Sequence, residues 1–195
     1  ASDLEVQQVN QDIRVRITNQ TGHKLPTGYP EGRRMWIDVK FLDSARNVVG
    51  EHGAYDLNTA TLDTASTKVY EAKLGLDAAM AALTGKPEGP SFHVAISNKI
   101  FFDNRIPPRG FTQAAFESVQ ASPVGYSYPD GQYWDDTLFQ IPPAAIKAEV
   151  KVFHQTTSRE YIEFLLTANT TDQKGQIAYD EWVACGKSQP TPMGS

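Results

Sequence analysis

Two short segments constrain the fold most: Ile13-Arg-Val-Arg-Ile17 and Ile37-Asp-Val-Lys-Phe41 alternate apolar and charged residues, and a run rich in glycine and proline separates them. Successive side chains of an extended chain point to opposite faces, so each segment reads as a strand with one buried and one wet face. Ile146-Lys-Ala-Glu-Val-Lys-Val152 repeats the pattern, and Val48-Val49 follows turn residues at Asp43 to Asn47. Such strands, punctuated by Gly and Pro, predict a mainly β fold: an antiparallel β-sandwich, Ig-like or jelly-roll-like, with long loops and a few short helices. A parallel α/β sheet is disfavoured, because its strands read as continuous apolar runs between regular helices.

The helices are additions to this frame. Asp77 to Leu83 is rich in helix formers and stops at Gly85 and Pro87. Ser158 can cap a helix over Arg159 to Thr167, and Gln176 to Ala184 forms another that ends at Gly186. Phe92 to Ser97 reads as a further strand, with His93 on the face turned away from Phe92, Val94 and Ile96. Residues 1–187 form one domain on this reading, followed by an extended or disordered tail at 188–195.

Whole-chain numbers exclude several classes of function. Eighteen Lys and Arg against twenty-three Asp and Glu give a formal charge of −5, and Arg33-Arg34 is the longest basic run. Neither nucleic acid nor an anionic membrane surface suits such a chain. No apolar stretch approaches the roughly 18 to 20 residues that cross a bilayer as a helix. The chain begins at Ala1, as a mature protein or an excised piece of a longer one would. The single cysteine, Cys185, allows no internal disulfide and is followed by Gly-Lys-Ser, so the chain has no Cys-x-x-Cys-His and carries no covalent haem c of its own.

The run Asn19-Gln-Thr-Gly-His-Lys-Leu-Pro-Thr-Gly-Tyr-Pro-Glu-Gly-Arg-Arg-Met-Trp36 places His23 in a loop stiffened by Pro26 and Pro30 and bent at Gly22, Gly28 and Gly32. This run, together with Asp103-Asn-Arg-Ile-Pro-Pro-Arg-Gly-Phe111, Asp130-Gly-Gln-Tyr-Trp-Asp-Asp136 and Gln155 to Phe164, resembles a β-rich domain. It is the domain C-terminal to the haem segment of multihaem c-type cytochromes, where a Gly-His-x-x-Pro-Thr-Gly loop recurs. The resemblance covers about Asn10 to Lys187. It implies a non-catalytic, periplasmic or extracellular bacterial module whose partner is a haem-bearing domain or cytochrome subunit. Its cofactor would be haem c from that neighbouring segment, approached by His23, His93, Arg33 and Arg105.

Other readings stand beside this one. His23 can instead pin its loop by hydrogen bonds, and the arginines, Arg34 and Arg109 included, can pair internally with Glu31, Asp103 or Asp136. His154 shares the parity of Val150 and Val152 and so points inward as a core-edge histidine with a backbone partner; relatives would carry tyrosine there. His23, His93 and His154 are the candidates for a copper or other metal site assembled across strands, although no His-x-His or His-x-x-x-His spacing supports one. Asp103, Asn104, Asp130, Asp135 and Asp136 read as turn chemistry ahead of Ca²⁺ ligation. No Gly-x-Ser-x-Gly elbow or phosphate loop marks an enzyme. A secreted module that grips a protein, glycan or filament by its long loops is the rival function.

Overall fold

The structure, a computed structural model, describes residues 1–194. It opens with β1 (Ser2–Val9) and β2 (Asp12–Asn19), followed after the long loop by β3 (Arg34–Leu42) and β4 (Val48–His52). Short strands β5 (Tyr55–Asp56), β6 (Thr61–Leu62) and β7 (Val69–Tyr70) lead to β8 (Ala72–Leu76), α1 (Ala78–Thr84), β9 (Gly89–Pro90) and β10 (Lys99–Asp103). The rest comprises α2 (Gln113–Ser118), β11 (Trp134–Gln140), β12 (Lys147–Gln155), α3 (Arg159–Ala168), α4 (Lys174–Ala184) and β13 (Thr191–Gly194).

Two antiparallel sheets face each other across one core. The first has the order β1-β2-β11; the second has the order β13-β12-β3-β4, with β7 also paired to β3. Ile13, Val15 and Ile17 of β2 and Phe139 of β11 meet Met35, Ile37, Val39 and Phe41 of β3 and Val150 and Val152 of β12. The alternation in sequence therefore selects the inner faces, and the register Ile37 opposite Val152 and Val39 opposite Val150 keeps them matched. A smaller sheet, β10-β8-β9, and the hairpin β5-β6 flank this sandwich.

Of the four helices, α1, α3 and α4 fall where the sequence places them. Asp77 caps α1 by accepting from the Met80 amide, and Gly85 ends it at φ 67°. Ser158 caps α3 by accepting from the Tyr161 amide, and α4 ends before Gly186, itself at φ 81°.

One expectation needs correction. Val94–Ile96 forms a 3₁₀ turn rather than a strand, so the two-face parity assigned to His93 does not hold. The Ser91 hydroxyl accepting from the His93 amide and the Ser97 hydroxyl donating to the His93 carbonyl favour the turn over an extended chain. The tail is extended but not free: Thr191–Gly194 pairs with β12 as an edge strand, which takes up backbone groups that β12 would otherwise leave open.

The outward face of β3 carries a buried charge. Asp38 is 7% exposed, and burial pushes its carboxyl up to about 6, with Lys40 and Lys151 opposing the rise and Glu51 adding to it. A carboxyl raised on folding lends stability below its unfolded pKa and loses it as pH climbs through the folded value. Between about pH 4 and pH 7 this group should therefore withdraw roughly 2 to 3 kcal/mol. Urea denaturation of the wild type and of Asp38→Asn across that range should show the decline in the wild type and a flatter profile in the variant.

Candidate functional site

The loop between β2 and β3 is held by the last inward residue of β2. Asn19 continues the parity of Ile13, Val15 and Ile17 and is fully buried. Its Nδ2 donates to the carbonyls of His23 (2.7 Å), Ile106 (2.9 Å) and Pro107 (3.0 Å), and its Oδ1 accepts from the amide and hydroxyl of Thr21. Leu25 and Ile106 exchange backbone hydrogen bonds of 2.8 and 2.9 Å beside it. One side chain thus ties the loop to the segment after β10.

A buried ion cluster completes the brace. Lys24 Nζ donates to Asp103 Oδ2 at 2.8 Å, and Arg105 grips the same carboxylate through Nε and Nη2 at 2.9 and 2.7 Å. Burial works to raise the Asp103 carboxyl, but the hydrogen bonds and charges of Arg105 and Lys24 outweigh it and hold the group below its ordinary value. Burial also draws the Lys24 ammonium down, against the pull of Asp103. Two cations around one carboxylate leave a single positive charge in excess.

His23 stands at the rim of this cluster. Its carbonyl is taken by Asn19 and Thr21, while its ring is exposed and without a hydrogen bond among the described residues. Beside it lies an open hollow of about 440 Å³ lined by His23, Lys24, Gly28, Arg105 and Phe116. Arg33 closes the loop from behind, Nη1 donating to the Thr27 carbonyl at 2.6 Å. Gly28, at φ 85°, has no space for a Cβ because Arg33 Nη1 fills it. The loop is therefore pinned by Asn19, not by the imidazole, which is left free to meet something outside.

The other candidates go elsewhere. His93 packs edge-on against Phe164 at 4.9 Å, and Arg105 is committed to Asp103. His154 lies opposite Met35 on the inner face of β12, with its imidazole drawn down by burial and by the charge of Arg33. Its ring has no backbone partner among the described residues, where a core-edge histidine was expected to find one. His23, His93 and His154 do not converge: among the described residues no group of three or more His, Cys, Asp or Glu side chains is placed to hold a metal ion. The acidic residues serve structure, with Asp136 gripped bidentately by Arg16 and Asp130 accepting from the Gln113 amide. Asp135 accepts from the Tyr70 and Tyr126 hydroxyls.

The sequence named Asp103 as a partner for the loop arginines, and Arg105 takes it, but Asn19 and Lys24 were missed as organisers of the site. A polar residue at an inward strand position was the signal for Asn19. Lys24 carried none, since 79 residues separate it from Asp103.

The geometry defines a β-rich module with one exposed histidine on a braced loop, and comparisons of fold agree with that class. The chain is similar to a penta-heme cytochrome c552 from Thermochromatium tepidum known from a crystal structure, with a TM-score of 0.54 and 14% identity over 99% of this chain and 37% of that one. It thus spans little more than a third of that protein's length, and the likeness is one of fold. No family model and no curated protein matches the chain in sequence. Among the described residues no helix is long and apolar enough to cross a membrane.

Two variants separate the brace from the ring it presents. Asp103→Asn strands Lys24 and Arg105 around a neutral amide and should cost about 3 to 5 kcal/mol in urea denaturation. His23→Ala removes an exposed ring without partners and should change stability by no more than about 0.5 kcal/mol.

Proposed function

We propose that this chain is a non-catalytic module of a bacterial periplasmic or extracellular multihaem electron-transfer protein, docking against or shielding haems held by a neighbouring segment or subunit. The observation that carries this reading is His23: an exposed imidazole on a loop whose shape is fixed by other residues, at the rim of an open, positively charged hollow. The loop-and-histidine resemblance and the fold of the penta-heme cytochrome point the same way.

The residues of the hollow fit a haem edge in part. His23 offers a ring nitrogen as an axial ligand or as a hydrogen-bond partner, and Phe116 offers an apolar wall. Lys24 and Arg105 supply the excess positive charge that favours propionates, but the Arg105 guanidinium is already gripped by Asp103. Its contribution is therefore a field rather than a bidentate clamp. Bound haem would supply the electron-transfer chemistry; this chain would orient and shield it.

The test is made in the intact native assembly. His23→Ala should shift the spectrum or reduction potential of one haem while the melting temperature stays unchanged, because ligation and neighbouring hydrogen bonds set the potential. An assembly without haem, or a spectrum and potential indifferent to the substitution, would overturn the proposal.

A further inference from the structure

A second cavity, of about 320 Å³, lies on the far side of the same loop, between Glu31 to Arg34, the strand β8, Phe92 and the start of α3. This volume falls in the range of small-molecule sites. Three charged side-chain atoms of residues that line it, Glu31 Oε2, Arg33 Nε and Arg34 Nη2, are buried without a hydrogen-bond partner. Only six such atoms occur among the described residues, so half of them gather on one cavity.

The two most buried of these residues are opposite in sign. Glu31 is 7% exposed and Arg34 is 5% exposed. Arg34 is fixed in place: Nε donates to Gln155 Oε1 at 2.9 Å, Nη1 donates to Glu160 Oε1 at 3.3 Å, and the guanidinium lies over the Trp36 ring. Its third nitrogen alone lacks an acceptor. No cation pairs with Glu31 among the described residues. Gly32, between them, is at φ 68° with no room for a Cβ against Tyr161, and its carbonyl accepts from the Ser158 amide at 2.8 Å. The wall is thus welded to α3, and an unpaired buried charge of either sign is expensive to leave so.

Charge balance selects the ligand. Arg33, Arg34 and Lys73 face Glu31, Glu71 and Glu160 around the cavity, three positive against three negative, and Lys73 already pairs with Glu71 at 2.9 Å. A phosphate or a simple cation would meet as much repulsion as attraction. A neutral zwitterion needs both an N–H donor and a carboxylate acceptor, and the cavity supplies both. Leu74, Pro90 and Phe92 add an apolar wall.

We propose that this cavity binds a free α-amino acid with an apolar side chain, its carboxylate accepting from Arg34 and Arg33, its ammonium donating to Glu31, and its side chain against Phe92 and Leu74. The inference makes no use of the haem reading. Isothermal titration calorimetry of the 195-residue chain with L-leucine or L-phenylalanine should show saturable single-site binding. N-acetyl-leucine, which lacks the ammonium, and leucine methyl ester, which lacks the carboxylate, should each bind at least about tenfold more weakly, a loss of about 1.4 kcal/mol. Glu31→Gln should weaken leucine binding by a similar factor, and Leu74→Trp, which fills the cavity from its apolar side, should abolish it. Absence of binding by either free amino acid, equal binding by the blocked forms, or indifference to both substitutions in folded protein would overturn the proposal.

Discussion

Asn19 is the contact on which the His23 loop depends for its shape. A primary amide offers two donors and two acceptor lone pairs, and here three loop carbonyls and the amide and hydroxyl of Thr21 use them. The residue lies at the inner face of a strand, so its position is inherited from the sheet: Ile13, Val15 and Ile17 dock into the core and carry Asn19 with them. Loop geometry is thereby made a consequence of core packing. A loop fixed by its own flexible residues would lack that precision.

The same logic recurs in the buried carboxylates. Asp103 joins Lys24 from the long loop to Arg105. Asp135, opposite Ile17 in the sheet, gathers Lys68 and Tyr70 from the β7 segment and Tyr126 from another. Asp38 differs, standing buried on β3 without a hydrogen-bonded cation, and its carboxyl rises accordingly. The contrast shows what the paired carboxylates achieve. Burial alone drives a carboxyl toward its neutral form, and Asp103 stays ionised because two cations outweigh burial. Asp103 and Asp135 thus each hold together segments that are far apart in sequence.

Period-two alternation made the main strands legible, because Ile13 to Ile17, Ile37 to Phe41 and Ile146 to Val152 each state their buried face in sequence. Caps made the helices legible, since Asp77, Ser158 and Gly85 act within one turn. What failed was the irregular middle. Phe92 to Ser97 alternates weakly, and side-chain hydrogen bonds from Ser91 and Ser97 close it into a 3₁₀ turn. β1 and β11 escaped notice because Ser2 to Val9 and Trp134 to Gln140 place polar residues at positions that face the core edge or solvent. His23 was legible as a candidate because glycine and proline mark its loop. The reason its ring is free was not: the residues that relieve it of a structural role lie at 19, 103, 105 and 106, and only the fold brings them together.

The loop from Gln20 to Arg33 consequently has two faces with separate supports. On one side His23 projects beyond a brace built from Asn19 and the Asp103 cluster. On the other, Glu31 and Arg34 line a cavity fixed by Gly32 against Tyr161 and by the Ser158 amide on the Gly32 carbonyl. The first brace runs to β10 and the second to α3, so neither face needs the other's partner to keep its shape. Arg33 is the link: its Nη1 holds the Thr27 carbonyl near His23, and its Nε lies among the unpaired atoms of the cavity. A single guanidinium shared in this way places both faces within one loop while leaving the imidazole of His23 outside every internal bond.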